Sequence, residues 1–277
     1  MKRFLRLLMV AVMVVAFVLP LSACGNKIVT LSLEVSVYNV EDEKVEDKTI
    51  NFDLYANLAP DAVNAVKGWV NDGYYNGLVL YKQSKYITQS TSSQLMYGGY
   101  KLENGKLIKN AQKVLPDAEF EKNGTVGSDL SNVKGAIGLW RDWSGTSNGY
   151  RYSGFEQTNS TLYIPTTSLT TYDGYFCLLG KYSTSDDLTV IEEIITLLVN
   201  EDYYTSYTCY YEAEDDGSLK LDNGNPVWKS MLTEDYSDVK DDLNVYSAKD
   251  GEDKSYELYT VSVINADKLT IKSIKVK

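Results

Sequence analysis

The stretch that most constrains this chain runs from Ile50 to Gln89, INFDLYANLAPDAVNAVKGWVNDGYYNGLVLYKQSKYITQ. Ile50, Phe52 and Leu54 alternate with Asn51, Asp53 and Tyr55, the period-2 pattern of a strand with one buried face. Asn57 to Ala59 turn the chain, and Pro60 stands where a first helical residue needs no N–H. Asp61 follows in the first turn, near the positive end of the helix dipole. Ala62, Val63, Val66, Trp69 and Val70 recur at helical spacing and predict one apolar face. Gly73 ends the helix, and Asn76-Gly77 signals a tight turn before the apolar run Leu78 to Leu80.

The chain contains no histidine, which narrows the chemistry further. Ser-His-Asp and Cys-His catalysis, histidine general bases and histidine-ligated zinc are all excluded. Any activity rests on positioning, carboxylates, lysine, arginine or tyrosine. Cysteine adds little: beyond Cys24 there are only Cys177 and Cys209, with no CxxC and no metal-ligand spacing. Cys177 lies in an apolar strand, where a buried free thiol is the default reading beside a Cys177–Cys209 disulfide.

Lys2, Arg3 and Arg6 precede an apolar run from Leu7 to Leu21, the pattern of a secretory signal. Leu21-Ser22-Ala23-Cys24 looks like a bacterial lipobox, so residues 1–23 are expected to be removed and Cys24 lipidated. Two acyl chains suffice for stable anchoring. The expected location is extracytoplasmic, lipid-anchored to the bacterial cell membrane. Cleavage takes the formal net charge from −11 to −14, because residues 1–23 hold three basic and no acidic residues. So acidic a chain is not built for nucleic acid or for an electrostatic grip on anionic lipid. Contact with the membrane is therefore expected through the lipid anchor alone.

Lys27 to Tyr38 reads as a strand with Val29, Leu31, Leu33 and Val35 on one face, joined to the organising stretch by an acidic turn. Leu95 to Lys109 reads as a loop with short strands, hairpins being marked by Gly98-Gly99 and Asn104-Gly105. Residues 201–257 change composition, with 16 acidic against five basic residues and many tyrosines. They read as an acidic insertion or elaborated hairpin on the domain surface. DDGSLKLDNG does not fit an EF-hand, so no metal is expected. The 23 tyrosines and four tryptophans also admit a sugar-binding surface, beside the plainer reading as strand packing.

The strand, the helix opening at Ala59-Pro60, the GYYNG turn and the second strand together resemble the cyclophilin family of peptidyl-prolyl isomerases. That family's pattern here is "ieLy...aPktvxNFv" followed by "GyYdGtxFHRvixxFmiQgG". Leu54, Tyr55, Ala59, Pro60, Val63, Asn64, Gly73, Tyr74, Tyr75, Gly77 and Gln89 carry the match. Leu80-Tyr81-Lys82 stands where the family has Phe-His-Arg, with one residue missing before Tyr86. Further on, Leu115 to Phe120 resembles "lpdEf", and Gly135 to Trp140 resembles "rGtlsMA", with Leu139 at the methionine position. Asn159 to Ile164 resembles "nsQFFI", and Tyr172-Asp173-Gly174 with Leu179 to Tyr182 resembles "LDgkytvFGkV". Val190 to Ile194 and the closing Leu269 to Val276 are similar to the helix and last strand that follow.

The resemblance implies an all-β fold, a closed antiparallel barrel with short flanking helices spanning 24–277, elaborated by the acidic segment 201–257. It implies a peptidyl-prolyl cis-trans isomerase that needs no cofactor and assists the folding of secreted proteins. An X-Pro bond turns over a barrier of about 18–20 kcal/mol, and a catalyst must bind its twisted form better than either planar isomer. By position, Leu80, Leu139, Leu162, Tyr163, Tyr172 and Phe176 would line the proline pocket. Lys82 takes the catalytic arginine position, Gln89 keeps the family's glutamine, Phe176 replaces a histidine and Thr161 a glutamine. Lysine is a flexible point charge where arginine offers a rigid fork, so reduced activity is expected. Arg141, next to Trp140, is a candidate substitute. The alternative is an inactive module that binds extended or proline-containing peptides.

Overall fold

A computed structural model describes residues 27–85, 94–115, 119, 130–141, 144–146, 149–151, 158–170, 173–249 and 256–277. Among the described residues the chain is mostly β, with few helices, and no helix is long and apolar enough to cross a membrane. The leader and Cys24 lie outside the described residues.

β1 (Ile28–Asn39) and β2 (Lys44–Tyr55) form a hairpin in unbroken register from Ile28↔Tyr55 to Asn39↔Lys44. Leu31, Leu33, Val35 and Val37 of β1 and Ile50, Phe52 and Leu54 of β2 are buried on one side, as alternation predicts. α1 (Pro60–Asn71) buries the expected Ala62, Val63, Val66, Trp69 and Val70 against that hairpin's core, and Gly73 follows with φ 72°. Ala59 offers no capping side chain. Glu119 supplies the cap instead, accepting at 2.9 Å from the N–H of Ala62, 57 residues earlier.

β3 (Leu78–Lys85) and β4 (Gln94–Glu103) come next, then β5 (Lys106–Lys109). Asn104 and Gly105, at φ 52° and 75°, make the expected hairpin between β4 and β5. Gly98-Gly99 does not turn the chain: β4 runs straight through it. These glycines are there for closeness. A Cβ on Gly98 would lie 3.1 Å from the Tyr75 ring and from the Ser160 carbonyl, and one on Gly99 would overlap the Tyr81 hydroxyl.

The remaining strands of the main sheet are β6 (Ala136–Leu139), β7 (Leu162–Pro165), β8 (Cys177–Tyr182), β9 (Tyr204–Tyr211), β10 (Trp228–Leu232), β11 (Tyr259–Ile264) and β12 (Leu269–Val276). Their order is β10-β9-β11-β3-β4-β7-β6-β8-β2-β1-β12, with β5 on β4 and every pairing antiparallel. No ladder joins the end strands β10 and β12 among the described residues. The chain itself links the two halves, since β11, paired to β3, runs through the Asn265–Lys268 turn into β12, paired to β1. α2 (Ser185–Leu197) opens on a capping box between Thr184 and Asp187 and packs on β2. α3 (Thr233–Val239) lays Tyr236 against Tyr210 of β9.

The sheet has an apolar core on each face. The first gathers β1, β2, α1, α2 and the inward residues of β3, β4, β6, β7, β8 and β12. The second joins Tyr81, Met96, Tyr100, Leu107, Tyr163 and Phe176 to Tyr207, Cys209, Tyr211, Tyr246, Tyr259, Val261 and Val263. Tyr207, Cys209, Tyr211, Ala213 and Tyr246 of segment 201–257 contribute to this second core. The segment's acidic side chains are mostly exposed, but β9 continues the sheet and turns tyrosines inward. The polar tips of this core find partners: Tyr100 with Tyr259 at 2.9 Å, Trp228 Nε1 donating to the Tyr259 hydroxyl at 2.9 Å, and Tyr207 donating to Gly105 O at 3.2 Å. The β10 edge meets β5 where Ser230 Oγ donates to Leu107 O at 2.9 Å.

Candidate functional site

The residues predicted to line one pocket occupy two faces of the sheet. Leu80, Leu139 and Leu162, 3, 0 and 2 % exposed, point into the first core with α1 and α2. Tyr163 and Phe176, 1 and 3 % exposed, belong to the second. The reason is the pleat: successive side chains of a strand point to opposite sides, so Leu162 and Tyr163 cannot face one ligand together. Gln89 and Tyr172 lie outside the described residues.

Lys82 follows the same rule. Tyr81 faces Val263 of β11 in the second core, so Lys82, opposite Ser262, projects to the other face with Leu80. It is half-buried, and burial holds its ammonium below the ordinary lysine range. The catalytic cation expected beside the proline pocket is therefore separated from Tyr163 and Phe176 by the sheet.

On the second face Trp140, Tyr163 and Phe176 form a compact trio. Their ring centroids are 6.0 Å apart for Trp140–Tyr163, 5.4 Å for Trp140–Phe176 and 5.2 Å for Tyr163–Phe176. Gly138 makes room for it, since a Cβ there would lie 2.6 Å from the Tyr163 ring. Tyr163 donates its hydroxyl to Asn132 Oδ1 at 2.7 Å, and burial pushes its pKa well up. Asn132 is held in turn by Asp173, whose carboxylate accepts from its backbone N–H at 2.7 Å and its amide at 3.1 Å and from Ser131 Oγ. Nothing in the sequence marked Asn132 or Asp173 as the support beneath Tyr163, because the contact spans about 30 to 40 residues of chain.

Trp140 and Tyr175 remain half-buried and form the open rim of this cluster. Arg141 lies beside it, 1 % exposed, its Nη1 donating to the Tyr175 carbonyl at 3.3 Å. Thr161 is fully buried, its hydroxyl accepting from Gln112 at 2.9 Å. Cys177 sits in the first core and Cys209 in the second, both buried and free. Among the described residues no group of three or more acidic or cysteine side chains is placed to hold a metal.

No protein-family model matches the sequence, and no curated protein does. Among solved structures the chain is similar to the cyclophilin-type peptidyl-prolyl cis-trans isomerase of Cryptosporidium parvum. The identity is 16 %, 60 % of this chain and 84 % of that chain are covered, and the TM-score is 0.36. The same isomerase crystallised in the presence of the dipeptide Ala-Pro gives 18 % identity, 57 % and 84 % coverage and a TM-score of 0.33. Likenesses at this level do not assign an activity.

Proposed function

We propose that this protein is a cyclophilin-like domain that holds extended, proline-containing segments of unfolded secreted proteins without catalysing their isomerisation. In this reading the main sheet is a barrel closed through the continuous β11–β12 segment. A lipid on Cys24 tethers the domain to the outer side of a bacterial cell membrane. One observation carries the loss of catalysis: Lys82 and the aromatic trio stand on opposite faces of the sheet. An isomerase must grip the proline ring and present a donor to the twisting amide in the same place. Neighbouring strand positions on opposite faces cannot do both. What the second face offers is the rim of Trp140 and Tyr175, and aromatic rims of this kind suit extended, proline-rich chain.

Exchange spectroscopy on a short Xaa-Pro peptide with the full chain in detergent micelles tests this. The expected result is no acceleration, with shifts at the Trp140 indole and the Tyr175 ring. Acceleration lost in Lys82→Ala would restore the catalytic role to Lys82, and absence of any peptide binding would overturn the module itself. A second reading keeps catalysis and moves its cation, because the Arg141 guanidinium reaches the carbonyl next to Phe176. Acceleration that survives Lys82→Ala and disappears in Arg141→Lys selects it.

A further inference from the structure

Freed from the aromatic face, Lys82 has unusual surroundings. The half-buried lysines 48, 101, 113, 134, 220 and 268 all contact a carboxylate: Glu193, Glu103, Asp72, Glu192, Glu212 and Asp267 respectively. Lys82 is equally half-buried, yet no ion pair or hydrogen bond reaches it among the described residues. In a chain of 38 acidic and 27 basic residues, a desolvated cation without a carboxylate is not accounted for by surface statistics.

Its neighbours are hydroxyls. Across β9, β11 and β3 the register sets Ser206, Ser262 and Lys82 in one row and Thr208, Thr260 and Ser84 in the next, all on one face. Ser206 Oγ and Ser262 Oγ are 3.0 Å apart. The residues nearest Lys82 on this face are Leu80 of β3, Leu95 and Tyr97 of β4, Ile264 of β11 and Tyr204 of β9. The acids that share the face, Glu103 of β4 and Glu212 just beyond β9, are already paired, with Lys101 and with Lys220 and Lys229. The acids of α3, the element packed beyond Thr208 and Tyr210, are Glu234, Asp235 and Asp238, and all three are exposed. An ammonium brings three donors and each hydroxyl one that can rotate, so the patch supplies charge and donors but no anion.

We propose that this patch binds a small oxyanion group, a carboxylate or a phosphate, with Lys82 Nζ as its charge partner and the hydroxyls of Ser262, Ser206 and Ser84 as further donors. The proposal is independent of peptide binding at Trp140, which lies on the opposite face.

The test follows the Lys82 side chain by NMR in the full chain in detergent micelles, through a pH titration at fixed ionic strength. Sodium chloride, inorganic phosphate and acetate are compared. A bound oxyanion raises the Lys82 midpoint by about one pH unit and shifts the Ser206 and Ser262 amides, while exposed Lys67 does not move. A response to phosphate alone identifies a phosphate site, and a response to acetate a carboxylate site. Lys82→Met abolishes the amide shifts, and Ser262→Ala, which keeps the cation, weakens binding about tenfold. An unmoved midpoint in both anions, or amide shifts that persist in Lys82→Met, overturns the proposal.

Discussion

Asp187 ties the α2 start to β2, and its removal is expected to be the most damaging single polar change in the described structure. The carboxylate is 3 % exposed and accepts four hydrogen bonds. Oδ1 takes the Asn51 backbone N–H at 2.7 Å and its amide at 3.2 Å, and Oδ2 takes Thr184 N–H at 2.9 Å and its hydroxyl at 2.7 Å. In Asp187→Ala the Thr184 donors sit at an exposed helix start and turn to water, so their loss costs about 1 kcal/mol, as for a cap. The two Asn51 donors are partly buried in mid-strand, and each left unpaired costs about 1–3 kcal/mol. The total is about 3–7 kcal/mol, or a fall in Tm of about 10–20 °C for a domain of this size. Asp187→Asn repeats most of it, because its NH₂ must face donors on one side or the other. Urea unfolding followed by circular dichroism, with the m-value unchanged, measures the loss. A cost below about 1 kcal/mol in Asp187→Ala would refute the reasoning and show that water satisfies Asn51 as well.

Gly180→Ala is expected to cost at least about 3 kcal/mol in the same assay, because the new Cβ overlaps the Asp53 carbonyl where β8 crosses β2; an unchanged midpoint would contradict that packing. Both thiols should resist a disulfide reagent in the folded protein and react on unfolding. Burial holds Cys177 up at about 12 and raises Cys209 as well, and rapid labelling of either at neutral pH would count against the two cores. Glu119→Ala should cost about 1 kcal/mol through loss of the α1 cap, while Glu119→Gln keeps an acceptor and should cost less. Burial raises the folded Glu119 pKa, so its charged form opposes folding. Wild type should therefore gain on Glu119→Gln as pH falls from neutral through the folded pKa to the unfolded value, and the opposite trend in urea midpoints would refute the assignment.

Much of the architecture is legible in single stretches. The alternation of β1 and β2, the apolar face of α1 behind Pro60, the stop at Gly73 and the Asn104-Gly105 hairpin all follow from local rules. Burial periodicity and turn chemistry are properties of a few consecutive residues, so they survive without knowledge of the rest of the chain. The candidate site is less legible. A resemblance to a motif places residues along the chain, but the pleat decides which side of the sheet each serves, and it sends Leu162 and Tyr163, and Tyr81 and Lys82, to opposite faces.

Three further features depend on tertiary contact alone. The cap on α1 comes from Glu119, which no window around Ala59 contains. Gly98-Gly99 has the composition of a turn and the role of a clearance, because Tyr75 and Tyr81 arrive from other segments. Segment 201–257 has the charge of a solvated loop, yet Tyr207 and Tyr211 are buried, because β9 finds β11 and turns them into the second core with residues of β3 and β4. A sequence determines which of its strands has an apolar side; only the folded sheet decides what that side meets, since the partner strands are brought together by pairings across up to 245 residues, Leu31 with Val276.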